Sequence, residues 1–475
     1  MPLLPPGPTS SPVVQLYHLN KDPLGLLDRC YQKYGASFTM RLPRYPPIVF
    51  FSDPEDNRAI LSARRDDFSH ANDALKFLLL GDYSILFLDE ERHQAERNLM
   101  MPAMHGPRLK SYGNHMCNIA DAHINGWPTG TPFRIFDKVQ LLTQDVILRC
   151  VFGAEKTERI AHIRPLLFQY LNEGTDALLF AAGFVFGGAQ IRKFVEQQAQ
   201  PAGTGLMRWV PRPWGSFARC TASLKALLLE DIRHCRQQDA QSRTDILAML
   251  AHARDESGQQ LSEQHLLDEL LTLLIAGAET TSIMLSWVFY HLLRNPDVVE
   301  RIREETEQTF RDAPIDSSRI GELKYLKAAI NETMRLNPVA NSVARITRRT
   351  IQIGAYEIPK GTVVQPSIYL THRCPKIWPD PERFRPERFL SRSPGQFEFY
   401  PFSVGVRRCL GMAFAEYQLR IVVAQALRRV TLRLISSRPV RGIWRGFNIF
   451  PDGGIPVILE KRRPSPRWAE PAIQA

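Results

Sequence analysis

The chain has 475 residues, 60 Lys and Arg against 49 Asp and Glu (formal net charge +11), 44% hydrophobic and 23% charged side chains. That balance excludes global disorder, and the length allows a core large enough to enclose a cofactor. The charge lies in short clusters such as Arg348-Arg349, Arg407-Arg408 and Arg428-Arg429, with no basic stripe and no nucleic-acid motif. Nucleic-acid binding is therefore not expected, and an acidic protein partner suits the charge better. No run approaches the roughly 20 apolar residues of a membrane span. The stretch 177–191 is too short and holds three glycines. The N-terminus, MPLLPPGPTSSP, lacks the basic-then-apolar order of a secretory leader. Seven cysteines are scattered without a CxxC pair or zinc-ligand spacing, which predicts a reduced, cytoplasmic protein.

Five prolines in residues 1–12 predict an extended, stiff arm. PPIVFF at 46–51 reads as a strand. Helical periodicity then dominates to about residue 345, broken at Gly81, Pro102, Pro128, Gly153 and the segment 201–215. A helix is expected over 244–258. A longer one is expected from Ser262, a capping residue, to about Arg294, ahead of Asn295-Pro296. Its middle is apolar nearly all round, so it should cross the centre of the molecule. KYLKAAINETMRL forms the next helix and ends before Pro338. The period then changes to short strands at 351–353, 356–358 and 362–365. A Pro-, Arg- and Phe-rich irregular stretch comes next over 373–402, a length seldom found without function. A last helix covers about 412–430, and two strands flank Pro451-Asp-Gly-Gly. The tail 461–475 reads as loose, leaving one domain over 13–460.

The strongest local signal is Phe402-Ser-Val-Gly-Val-Arg-Arg-Cys-Leu-Gly411. Cys409 stands just before a helix, whose free N–H groups stabilise a thiolate. Gly405 and Gly411 permit a tight turn and the approach of something flat. Arg407 is a cation suited to a carboxylate. Together these features suggest haem iron held by cysteine.

At these residues the chain resembles the cytochrome P450 superfamily. Phe402, Gly405, Arg407, Cys409 and Gly411 match its Phe-x-x-Gly-x-Arg-x-Cys-x-Gly signature without departure. The resemblance runs from Leu4-Pro-Pro-Gly-Pro8 to Gly453-Gly454. It implies a mainly α (α+β) fold, with a large helical domain, a long central helix over the haem and small β-sheets. Only three residues precede the proline motif that commonly comes after a membrane anchor, so a soluble bacterial-type member is expected.

Other segments carry the resemblance further. Ala276-Gly-Ala-Glu-Thr-Thr281 places a glycine, an acid and hydroxyls inside an apolar helix, where each needs a reason. The resemblance implies a widened turn there, with Glu279 and Thr280 relaying protons during O–O cleavage. Glu332 and Arg335 share a helix face. The resemblance makes them a buried structural pair joined by Arg388 of Pro386-Glu-Arg-Phe389, with Arg383 of an upstream copy as the other register. His93 and Arg97, at i and i+4, resemble the family's haem-propionate contacts, together with Arg345 and Arg407. Phe402 and Gly411 join the cofactor-binding set.

The resemblance implies a monooxygenase. It would carry haem b, use O2, and take NAD(P)H electrons through a ferredoxin and ferredoxin reductase or a flavodoxin-type donor. An acidic ferredoxin would suit Arg407, Arg408, Arg420, Arg428 and Arg429. Position suggests a pocket of Phe77, Leu78, Leu79, Phe180, Phe184, Thr272, Ile275, Ala276, Asn341, Val343 and Phe447. Its apolar character suggests a terpene, polyketide, steroid or fatty-acid-like substrate of secondary metabolism, hydroxylated or epoxidised by a monomer. A peroxide-driven or rearranging haem-thiolate enzyme is the alternative, and a haem sensor ranks last.

Overall fold

The computed structural model describes residues 4–463 except 72, 154–156, 200–212, 239–244, 256–257 and 446–447. Residues 4–11 run extended and are tied down at Thr39, whose N–H donates to the Pro6 carbonyl (2.9 Å) and whose hydroxyl donates to that of Pro5 (2.6 Å). Helices α1 (Pro12–Lys21) and α2 (Pro23–Tyr34) come next, then strands β1 (Ser37–Met40) and β2 (Ile48–Phe51). Local sequence pattern does not separate α1, α2 and β1. In α1 only Gln15 and Leu19 are buried, so its apolar periodicity is weak.

Helix α3 (Pro54–Leu61) and strand β3 (Phe68–His70) lead into the helical body. That body comprises α4 (Glu90–Met104), α5 (Gly106–Asn125), β4 (Pro132–Arg134), α6 (Ile135–Phe152), α7 (Thr157–Gly174), α8 (Ala177–Phe186), α9 (Gly188–Gln198), α10 (Gly215–Arg236), α11 (Ile246–Ala251), α12 (Glu263–Arg294), α13 (Pro296–Phe310) and α14 (Lys324–Leu336). Pro102 sits in the last turn of α4 and does not break it. The helix expected over 244–258 is only the six residues of α11, with the turn around Gly258 beyond it.

The C-terminal third holds β5 (Arg345–Thr347), β6 (Ile351–Ile353), β7 (Tyr356–Ile358), β8 (Val363–Pro366), α15 (Ile368–Thr371), α16 (Arg388–Ser391), α17 (Met412–Arg429), β9 (Val430–Leu434), β10 (Gly442–Arg445), β11 (Asn448–Pro451) and β12 (Pro456–Arg462). The largest sheet has the order β1-β2-β8-β5-β3, with β2 and β8 parallel. Its partners come from both ends of the chain, a pairing that no local pattern announces.

Helix α12 organises the core. Ser262 caps it by accepting the His265 N–H (3.1 Å), and Asn295-Pro296 ends it as α13 begins. It packs against α6, α10, α14, α17 and β11. By length and composition α12 could cross a membrane, contrary to the expectation that no run is apolar enough, yet 78% of its apolar window is buried inside the protein. The helix stays α-helical from end to end, so no change of helix type marks the expected widened turn. Gly277 has a packing reason instead: a Cβ there would stand 3.0 Å from Ile147 Cδ1 on α6.

Candidate active site

The loop ahead of α17 carries Cys409. Gly405 has φ +73°, and a Cβ on it would lie 2.5 Å from the Leu61 carbonyl oxygen, so only glycine fits this turn. The Cys409 N–H donates to the Phe402 carbonyl (2.9 Å), closing the loop. Cys409 is accessible although protein surrounds it on nearly every side, so its sulfur faces an inner cleft. Burial raises its pKa, while the Gly411 amide and the charges of Arg97 and Arg408 pull it down. Gly411 caps α17 with φ −84°, and a Cβ there would meet nothing within 4 Å. Its value is open space beside the sulfur, not an unusual backbone angle.

A chain of contacts holds this loop. Glu332 and Arg335 on α14 are both fully buried. Arg335 Nε donates to Glu332 Oε2 (2.7 Å) and Nη2 to Oε1 (2.9 Å). Arg388 Nε reaches Glu332 Oε1 at 3.3 Å, so the downstream register supplies the third member. Arg383 contributes only its carbonyl. Arg335 also donates to the His372 carbonyl (2.8 Å), and His372 Nε2 accepts the Tyr400 N–H (3.0 Å). Tyr400 stands two residues before Phe402, whose carbonyl holds Cys409. His372 and Tyr400 escape a reading of the sequence because nothing local marks them. Their buried bonds to α14 and to Asn57 and Thr371 are made across the fold.

On α12, Ala276 is exposed and Ile275, Gly277 and Thr280 are half-buried, opening one side of a helix that is otherwise mostly buried. The Thr280 hydroxyl donates to the Ala276 carbonyl (2.7 Å). Thr143 and Ser282 donate to the carbonyls of Ala278 (2.7 Å) and Glu279 (2.7 Å). Glu279 is buried and accepts from Asn448 Nδ2 on β11 (2.8 Å). Burial pushes its carboxyl up to about 7, with Asn448 and Arg445 opposing. Asn448 is a further site residue that the sequence does not single out; its neighbour Phe447 lies outside the described residues.

His93, Arg345 and Arg407 line one small cleft with Asp89 and Val406. Burial and the neighbouring cations push His93 down to about 3 and Arg345 down to about 10. Arg97 stands one turn beyond His93 and donates to the Arg408 carbonyl. Arg407 is ion-paired with Asp89, a partner the sequence does not suggest.

The expected pocket is only partly open. Ile275 and Val343 are half-buried and Ala276 is exposed, but Phe77, Leu78, Leu79, Phe180, Thr272 and Asn341 are buried. Phe77 meets Phe180 edge-to-face at 4.8 Å, the Leu78 carbonyl accepts the Tyr170 hydroxyl, and Thr272 is bonded to Ser84 (2.8 Å). Packing and hydrogen bonding thus draw these residues into the core. The side chain of Phe184 lies outside the described residues. The basic face also shrinks. Arg429 is buried against Asp121, Arg420 pairs with Glu416, and Arg428 with Glu307 and the carbonyls of Arg311 and Ala313. Of the five arginines only Arg408 is exposed.

A profile of the family described as Cytochrome P450 matches residues 2–446. The chain belongs to the cytochrome P450 family. Cytochrome P450 135B1 of Mycobacterium tuberculosis is 34% identical over 463 residues, 97% of this chain and 92% of the relative. Cytochrome P450 135A1 of the same species is 31% identical over 433 residues, 90% of this chain and 89% of the relative. Among solved structures, retinoic acid-bound cyanobacterial CYP120A1 matches with a TM-score of 0.80 and 25% identity, covering 98% of this chain and all of that one. The P450 fold is therefore shared, and the protein is a haem-thiolate monooxygenase, an oxidoreductase using O2 and electrons from redox partners.

The donor set fits the haem that the family implies. A cysteine sulfur faces an inner cleft, and a glycine leaves space beside it. Arg345, lowered by burial and then by the charge of Arg407, joins Arg407 and Arg97 in offering charge for two carboxylates.

Proposed function

We propose that this P450 hydroxylates or epoxidises a hydrophobic small molecule, terpene-, polyketide-, steroid- or fatty-acid-like, with haem b held by Cys409. The observation that carries the reading is Cys409 itself: accessible to a cleft, enclosed by protein, and fixed by a glycine-framed loop. When bound, the haem supplies the activation of O2 and the oxygen-insertion chemistry.

The protein's own groups then have distinct tasks. Cys409 binds as thiolate, favoured by the Gly411 amide and by Arg97 and Arg408. His93, Arg97, Arg345 and Arg407 orient the cofactor through its carboxylates, which requires Arg407 to share itself between a propionate and Asp89. Thr280 holds a proton donor at the accessible edge of α12. Glu279, near neutrality in its basicity, gains or gives up a proton at working pH while Asn448 keeps its carboxyl in place. Ile275, Ala276 and Val343 offer apolar surface from which water is excluded. CYP120A1 with retinoic acid bound is a precedent for an elongated isoprenoid. Residues 13–460 act as one catalytic unit, with electrons delivered at the face bearing Arg408 by an acidic ferredoxin that NAD(P)H reduces.

The test is turnover of a panel of isoprenoids and fatty acids with ferredoxin, reductase and NADPH, beside peroxide alone. Product that requires NADPH and O2, and is lost in Cys409→Ser, is expected. Product with peroxide but none with the electron-transfer chain would overturn this reading in favour of a peroxide-driven enzyme.

A further inference from the structure

Outside the haem site, three acid and imidazole groups meet in the interior between α4 and the first turns of α12. His265 and Glu269 stand at i and i+4 on one face of α12, and Glu96 faces them from α4. One ligand atom from each lies within 4.8 Å of the other two. His265 Nε2 is 2.6 Å from Glu96 Oε2, and the Tyr83 ring stacks on the imidazole at 4.7 Å, fixing its plane.

The charges do not balance. Glu96 is 5% and Glu269 1% exposed. Among the described residues, Oε1 of Glu96 has no hydrogen-bond partner and Glu269 meets no donor but the Ile85 amide. The charges that act on Glu269 are Glu96 and Asp268, both acidic, and the Ile85 amide offsets them only in part. Two carboxylates therefore share one imidazole, and an uncompensated carboxylate at this depth is strongly disfavoured. Either a proton or a cation must settle it.

We propose that Glu96, His265 and Glu269 form a binding site for a divalent transition-metal cation, zinc being the ion to probe. Two carboxylates and a neutral imidazole cancel a double positive charge. The mixed N/O set suits such ions, at metal–ligand distances of about 2.0–2.2 Å. Closing three atoms now up to 4.8 Å apart onto one ion needs side-chain rotations of about 1 Å. As the metal enters, a proton on His265 Nε2 moves to Nδ1 of a neutral ring, or leaves to solvent from an imidazolium, so that the imidazole binds neutral, and any proton on Glu269 leaves to solvent. The ion would fasten the first turns of α12 to α4, the helix that carries His93 and Arg97.

The experiment uses chelator-dialysed holoenzyme titrated with zinc chloride, monitored by calorimetry, by metal content after desalting and by thermal unfolding. One equivalent bound, and a melting temperature that climbs with zinc concentration, is expected. Glu269→Gln keeps the shape, removes a charged ligand and should weaken zinc at least tenfold. If it does not fold, His265→Gln takes its place. No zinc retained by the parent protein, or equal zinc binding in these variants and the parent, as an adventitious surface ion would give, overturns the proposal. None of these readouts depends on monooxygenase turnover.

Discussion

Removing Glu332 gives the sharpest test of how the Cys409 loop is held. In Glu332→Ala, Arg335 loses bonds of 2.7 and 2.9 Å, Arg388 loses one of 3.3 Å, and the Arg385 N–H loses its acceptor at 2.9 Å. Among the described residues the two guanidiniums, 0% and 4% exposed, keep only carbonyls as hydrogen-bond acceptors, and a buried charge of +1 becomes +2. Breaking a buried pair from one side costs about 3–5 kcal/mol. The same residue types at the same spacing occur on the surface as Arg319 and Glu322, 46% and 51% exposed. Glu322→Ala is therefore the control, and solvent should leave it without measurable effect. The assay is a urea titration read by tryptophan fluorescence, to which Trp378 contributes, its buried ring lying 5.4 Å from the Arg335 guanidinium carbon. A bound cofactor makes unfolding more than two-state, so apparent midpoints are compared. At a slope of about 3 kcal/mol per molar urea, Glu332→Ala should lower the midpoint by about 1 M or more. It should also reduce the thiolate-type carbon monoxide spectrum, because Arg335, His372 and Tyr400 link this pair to Cys409. A midpoint shift no larger than that of Glu322→Ala would refute the reasoning.

Cys409→Ser should abolish the long-wavelength Soret band of the reduced carbon monoxide complex, a loss read directly by difference spectroscopy. Gly405→Ala forces a side chain into a positive-φ turn against the Leu61 carbonyl, and should destabilise the loop by about 2 kcal/mol or more, measured as an earlier loss of that band on heating. Arg345→Leu and Arg97→Leu each remove a charge-assisted bond worth about 1.5–3 kcal/mol, so transfer of haem to an acceptor globin should quicken by roughly 10- to 100-fold. For Glu279 the folded pKa, about 7, exceeds the ordinary 4.5. The folded state then holds the proton more tightly, and stability falls as pH rises between those values, by an order of 3 kcal/mol in all. Glu279→Gln should flatten this part of the stability–pH profile, and an unchanged slope would count against the assignment.

Chain positions 402–411 contain much of the chemistry in plain view. A cysteine between glycines ahead of a helix has few other uses, and the five signature residues sit within ten positions. The core helix was equally legible: a capping serine, thirty-odd mostly apolar residues and a terminating Asn-Pro are local signals, as are the caps and breaks around α14. The acid and hydroxyl within α12 stood out because polar groups in an apolar helix need partners.

Only the tertiary structure decided where those partners come from. Asn448 meets Glu279 from a strand 169 residues away, and Asp89 meets Arg407 across more than 300. The five-stranded sheet joins both ends of the chain for the same reason: pairing depends on spatial neighbours, not local period. Burial sorted the arginines, drawing Arg429 onto Asp121 and leaving Arg408 in solvent, though their sequence surroundings are alike. It also turned expected pocket residues such as Phe77 and Asn341 into core, since an apolar side chain declares that it avoids water but not which neighbours will exclude it.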